Sequence, residues 1–207
     1  PRRVIILCPN HTGLGPRISV GARGRYKIPG HSIPIDAALA GRILAAFPAA
    51  EADLSAHVNE HAIEVELPFL IARQPNLEMV PIVMKHLTEA EAIAFGHALF
   101  EVIGDEDILV IASSDMSHFL PDEEARRVDQ QALAPLLQFD PAGLFRTVEK
   151  EAITMCGYIP ATAMLAYCQK KNAHAPSLVD YRTSGDANGE LSRVVGYAGV
   201  IVPYSFK

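Results

Sequence analysis

Residues 108–119 read ILVIASSDMSHF, an apolar run that stops abruptly at Ser113-Ser114-Asp115, with His118 close behind. A short continuous apolar run bounded by turn residues predicts a strand buried on both faces, as in a sheet covered by helices. In open α/β sheets, chemistry collects beyond the carboxyl ends of the strands. Asp115 and His118 fall at that end, where a carboxylate can orient an imidazole or share its proton. The same Ser-Ser-Asp also serves as an ordinary turn cap.

The pattern occurs again at the start of the chain. Val4-Ile5-Ile6-Leu7 runs into Cys8-Pro9-Asn10-His11-Thr12-Gly13, a buried strand followed by a polar loop with a histidine. Gly13 and Gly15 permit a sharp turn or the close approach of a ligand. They make no phosphate fingerprint, because neither a Gly-Lys-Ser/Thr nor a G-x-G-x-x-G spacing follows.

Between and after these strands the spacing alternates. Residues 36–47 have helical periodicity ending at Pro48, and 77–84 read as a strand. Thr88-Glu89-Ala90-Glu91 is a capping box opening a helix that stops at Gly104. The strand at 108 then completes a β-α-β unit with the connection length a parallel crossover requires. Helices are predicted over 121–137, over 141–151 behind Asp140-Pro141, and through an Ala-rich stretch to Lys171. A strand into a turn at 177–186 and a last strand at 194–202, whose glycines mark a close backbone approach, end the chain. The prediction is one α/β domain over 1–207, with a mostly parallel or mixed central sheet flanked by helices.

Composition narrows the function classes. The 207 residues are 49% hydrophobic and 20% charged, ordinary globular values for a chain able to bury a sizeable core. A net charge of −6 argues against general nucleic-acid binding, which needs a basic face. No apolar run reaches the roughly 20 residues of a membrane helix, and no secretory signal is visible. Cys8, Cys156 and Cys168 are too few for a disulfide framework and fit a reducing cytoplasm.

Three further features carry alternatives. His57-Val58-Asn59-Glu60-His61 matches the inverted zinc-peptidase signature H-x-x-E-H, which requires a continuous helix and a third ligand. The competing reading makes His57 a loop residue and Glu60-His61 a helix start pointing into a cleft. Arg17, Arg23, Arg25 and Lys27 form an acid-free cluster, with Arg23 and Arg25 as candidate anion binders or as solvated surface. Cys156, beside Gly157 between two helices, is either a small buried residue or a thiolate ligand or nucleophile. Cys168 sits mid-helix and reads as core.

Taken in order, Cys8-Pro9-Asn10-His11, the 60–69 stretch EHAIEVELPF, Ser113-Ser114-Asp115-Met116-Ser117-His118, Cys156-Gly157 and Thr183-Ser184-Gly185-Asp186 resemble the Memo family. These are the AmmeMemoRadiSam system protein B homologues of bacteria and archaea. The resemblance spans nearly the whole chain. It implies a fold similar to class III extradiol dioxygenases and a mononuclear metal pocket, with iron the expected ion and copper or zinc as alternatives. His11 and Cys156 match metal-binding residues of the family, and His61, Asp115 and His118 match polar residues lining the same pocket, in catalytic roles. Family members usually begin with a further segment carrying Pro-His-Ala-Gly-Tyr, whose histidine is another ligand. It does not precede Pro1, so the expectation is that the chain is truncated, that the site is incomplete, or that His61 or His118 substitutes. Cys8 replaces a usual glycine. Cysteine in place of the dioxygenase carboxylate suits softer ions and speaks against ordinary catechol cleavage.

The resulting expectation is a metal-binding, dioxygenase-like oxidoreductase acting on a small molecule, with radical-SAM and AMMECR-type protein partners. The alternative is a non-catalytic module for protein or phosphopeptide partners.

Overall fold

The computed structural model describes residues 1–204. The chain opens with β1 (Arg3–Pro9), β2 (Ile18–Val20), β3 (Arg25–Ile28), β4 (His31–Pro34), α1 (Ala37–Ala46) and β5 (Glu51–Ala52). Then come α2 (Leu67–Arg73), β6 (Glu78–Met84), α3 (Glu89–Ile103), β7 (Ile108–Ala112) and β8 (His118–Leu120). The remaining elements are α4 (Asp122–Leu137), α5 (Pro141–Lys150), α6 (Tyr158–Lys170), β9 (Ser177–Thr183), α7 (Ser184–Asn188) and β10 (Val194–Ile201).

The central sheet has the order β5-β2-β6-β1-β7. β1 pairs parallel with both β6 and β7, whereas β2 runs antiparallel to β6, so the sheet is mixed as expected. A three-stranded antiparallel sheet, β8-β10-β9, and the β3–β4 hairpin accompany it. With partners on both sides, β1 is the spine of the molecule. Its side chains alternate between two cores, as strand geometry demands. Ile5 and Leu7 join α1, α3 and α6 on one face, while Val4, Ile6 and Cys8 pack with Ile63, Leu67 and Met79 on the other. A third core forms where α4, α5 and α6 meet.

Local chemistry fixes the helices. Asp36 caps α1 by accepting from Leu39 N at 2.9 Å, and Asp140 caps α5 through Gly143 N at 2.8 Å. The Thr88–Glu91 capping box is present, and α3 ends at Gly104 with φ 53°. Gly96 brings α3 against α6: a Cβ there would lie 2.2 Å from the Ala163 carbonyl oxygen.

The structure corrects several expectations. β7 is an edge strand and not one buried on both faces, leaving Leu109 40% exposed. Residues 62–66 are turns, and α2 begins only at Leu67, where Pro68 suits the first helical turn. The basic 17–27 segment, read as anion binder or solvated surface, contains β2 and the start of β3, strands too short for their alternation to be seen in sequence. Among the glycines of β10, Gly196 makes room for a side chain and not a backbone: its Cβ would meet the Asp129 carboxylate at 2.0 Å. That buried carboxylate accepts from Ser117 N at 2.8 Å and from the Tyr181 hydroxyl at 2.6 Å, tying α4 to both strands.

Gly96→Ala has no room to relax between two packed helices. It should cost about 1–3 kcal/mol, measured as a lowered denaturation midpoint with an unchanged m-value; an unaffected midpoint would mean that α3 and α6 are not in this contact.

Candidate metal centre

The carboxyl ends of β1 and β7 lie side by side, since the two strands are paired in parallel through Leu7 and Ala112. The loops that leave the two strands are therefore brought together. After β1, Asn10 organises the loop: its side-chain oxygen accepts from Gly13 N at 2.8 Å and its amide donates to Leu14 O at 2.7 Å. Gly13 and Gly15 both take left-handed φ values, and Gly15 packs so tightly on Asp53 that a Cβ would approach its carboxylate to 2.6 Å. His11 is thus held on a rigid turn.

Glu60 holds it further. Its fully buried carboxylate accepts from His11 N at 2.7 Å, His61 N at 2.9 Å and Ala62 N at 3.1 Å, and lies 2.9 Å from His11 Nδ1. A carboxylate facing Nδ1 fixes that nitrogen as the donor and leaves Nε2 with its lone pair. Burial pushes the Glu60 carboxyl up, but these donors outweigh it and hold it below the ordinary carboxylate value. The His61 ring stacks on His11 at 4.6 Å.

The second cluster follows β7. His118 Nδ1 lies 2.7 Å from the Thr154 carbonyl oxygen, which can only accept, so Nδ1 carries the proton. Its Nε2 then faces Asp115 Oδ2 at 3.4 Å. A neutral imidazole would aim a lone pair at a carboxylate, so this pair calls for a proton or a cation. Cys156 Sγ sits beside them and accepts from Asp115 N at 3.2 Å. Burial raises the Cys156 thiol, and the Asp115 N–H opposes that rise. Gly157 makes this placement feasible: a Cβ would lie 2.3 Å from the Ser113 carbonyl oxygen, and its N–H donates to Ser114 Oγ at 2.8 Å.

His11, Glu60 and His61 form one group of potential ligands within 4.8 Å, and Asp115, His118 and Cys156 form another. Among the described residues no such group holds both His11 and Cys156, so the two residues matched to family metal ligands fall in adjacent clusters. Ser113 joins the clusters, its hydroxyl 2.9 Å from Ala62 O and 3.2 Å from Glu66 Oε1. Cys8 lies below both: burial and the charges of Glu60 and Cys156 all push its thiol up. Glu60 is committed to orienting His11 and does not compete as a ligand. The remaining donors, imidazole with thiolate and carboxylate, fit iron, copper or zinc.

Sequence reasoning missed Glu66. Burial raises its carboxyl, the Ser113 hydroxyl lowers it, and Asp115 raises it again. A carboxyl between Val65 and Leu67, just before an apolar helix, was the available signal. The H-x-x-E-H reading is excluded: residues 55–59 and 62–66 are turns rather than one helix, and His57 joins neither ligand group. His57 lines a separate cavity of about 340 Å³ with Arg23 and Lys27. Arg25 bonds Ser32 on the neighbouring strand through Nε at 2.7 Å. Arg17 pairs with Glu91 at 2.6 Å. Neither Arg23 nor Arg25 reaches the two clusters.

These motifs, in this order on this sheet, can be compared with known proteins. Residues 1–201 match the family model described as Memo-like protein. The chain belongs to that family. A MEMO1 family protein of Aquifex aeolicus is 39% identical over 203 residues, 97% of this chain and 75% of the relative. One from Methanopyrus kandleri is 35% identical over 204 residues, 97% of this chain and 72% of the relative. The fold is similar to the crystal structure of the uncharacterized protein JW3007 from Escherichia coli K12, with a TM-score of 0.65 and 16% identity over 95% of this chain and 86% of that one. Among the described residues, no helix is long and apolar enough to cross a membrane.

Glu60→Ala should release His11 and lower metal affinity some 10–100-fold, the usual cost of losing such an outer-shell partner. Isothermal titration with Zn²⁺ reads this directly, and equal affinity in the variant would refute the orienting role.

Proposed function

We propose that this Memo family member is a metal-dependent, dioxygenase-like oxidoreductase acting on a small molecule. The single observation behind this reading is the convergence of His11, His61, Asp115, His118 and Cys156 at two adjoining strand ends. Iron is the favoured ion, because imidazole, carboxylate and thiolate together serve a redox-active centre. Copper or zinc would be accepted by the same donors.

Although they fall in adjacent clusters, His11 through Nε2 and Cys156 as the thiolate would together hold the ion. When bound, a redox-active ion supplies electron exchange with oxygen and polarises a coordinated substrate. His61, stacked on His11 and half open to solvent, lines the approach. His118 offers Nε2 for proton transfer and is kept in place by Thr154, while Asp115 stabilises its protonated form. Glu66, whose carboxyl is raised by burial, is a second candidate for proton transfer beside Ser113. Radical-SAM and AMMECR-type proteins remain the proposed partners, on the family resemblance alone, and a cytoplasmic setting agrees with three free cysteines.

Elemental analysis after anaerobic purification with iron tests this reading. One iron per chain is expected, falling at least tenfold in Cys156→Ala and in His11→Ala. Iron-free protein in all three, or iron unaffected by both substitutions, contradicts it.

A second reading rests on the Arg23 and Lys27 cavity. The His57 ring is buried there, and burial holds its pKa below the ordinary value against the opposing effect of a Ser19 backbone hydrogen bond. Such a cavity would receive an anionic group such as a phosphopeptide phosphate. Combined Arg23→Glu and Lys27→Glu should weaken binding of a phosphotyrosine peptide at least tenfold; unchanged affinity removes this reading.

A further inference from the structure

β8 is irregular where it meets the metal centre. Leu120 pairs with Val194 and His118 with Val195, so Phe119 is an extra residue on its strand. It forms a β-bulge, and its φ is 62°. Glycine is the usual occupant of a left-handed bulge position, because any side chain there is strained. Strain of this kind in a bulky residue collects at functional sites, where the surrounding structure holds it in place.

The bulge re-aims the ring. In a regular strand Phe119 would project from the face opposite His118. Instead its ring centroid lies 5.8 Å from the His118 ring, and the side chain is 63% exposed. Arg193, just before β10, stacks its guanidinium over the same ring at 5.1 Å. Arg126, also stacked on a ring, is bound by Asp122 and Asp186. Among the described residues no carboxylate pairs with Arg193 in this way. Stacking fixes the guanidinium plane and leaves its N–H fork free for a carboxylate.

The surrounding charge shows what such a cation is for. Asp115 lies against His118, and the buried Glu60 carboxylate lies against His11, in a chain of net charge −6. A neutral ligand approaching this centre needs no cation beside His118. An anionic one does, because the carboxylates repel it.

We propose that Phe119 and Arg193 are the specificity-determining residues of this centre and select a small organic carboxylate. The carboxylate pairs with the Arg193 guanidinium, the flat part of the molecule rests on the Phe119 ring, and its other end extends over His118. This inference rests on the metal-dependent reading of the two clusters and adds the charge and shape of the molecule they receive.

Benzoate, a flat carboxylate, is the probe, with benzamide as its neutral counterpart of the same shape. Each is titrated into the EDTA-treated 207-residue chain and followed through the NMR signals of Phe119 and of the Arg193 Nε–H. Benzoate should shift these signals saturably at millimolar concentration and bind at least tenfold more tightly than benzamide. Arg193→Gln should abolish that advantage and leave benzamide binding as it was. Phe119→Gly relieves the left-handed backbone, so it should keep the denaturation midpoint while weakening both ligands at least threefold. Iron content of both variants should equal that of the wild type. Equal affinity for the two probes, a benzoate advantage that survives Arg193→Gln, or no shift at Phe119 with either probe overturns the proposal. Benzoate binding through Arg193 in a chain that takes up no iron refutes the metal-dependent reading and supports the carboxylate site. Iron uptake without benzoate binding overturns the carboxylate site alone.

Discussion

The buried carboxylate of Glu60 is the interaction on which the candidate site depends. It gathers the backbone of His11, His61 and Ala62 and the His11 ring onto two oxygens, and so pins the 54–66 turns to the end of β1. Those turns have no regular structure to hold them, and a buried charge without such donors would be strongly unfavourable. Its contribution has a defined pH window. The folded carboxyl is held below the 4.5 of the free group, so the stabilisation is complete above that value and is lost as pH falls through the folded one.

Everything else in the site depends on strand pairing and one close approach. The parallel alignment of β1 and β7 delivers His11 and Asp115 to the same edge of the sheet. Gly157 then allows the start of α6 to press against Ser113 and Ser114, which carries Cys156 to Asp115. The cradle is therefore a product of the sheet and one missing side chain, and little of it rests on flexible groups.

Much of this was legible in the sequence. The apolar run at 4–7, the capping box at Thr88 and the Asp140-Pro141 start each carry their own local cause and form as read, and the run at 108–112 forms a strand, though not one buried on both faces. The histidines after strand ends lie at the edge of the sheet where the structure gathers the two ligand groups. What the residues did not reveal depends on contacts far apart in the chain. The edge position of β7 is a matter of sheet order, which an apolar run cannot encode. The division of the ligand residues into two clusters, and the role of Glu60 as an orienter of His11, needed the turn geometry of 54–66. The short strands β2, β5 and β8 exist only because neighbours pair with them.

X-ray absorption at the iron edge, on protein loaded anaerobically, tests the central claim most directly. The account predicts a mixed shell of imidazole nitrogen with one sulfur, the sulfur vanishing in Cys156→Ala. A shell of oxygen alone, identical in the wild type and the variant, would contradict it.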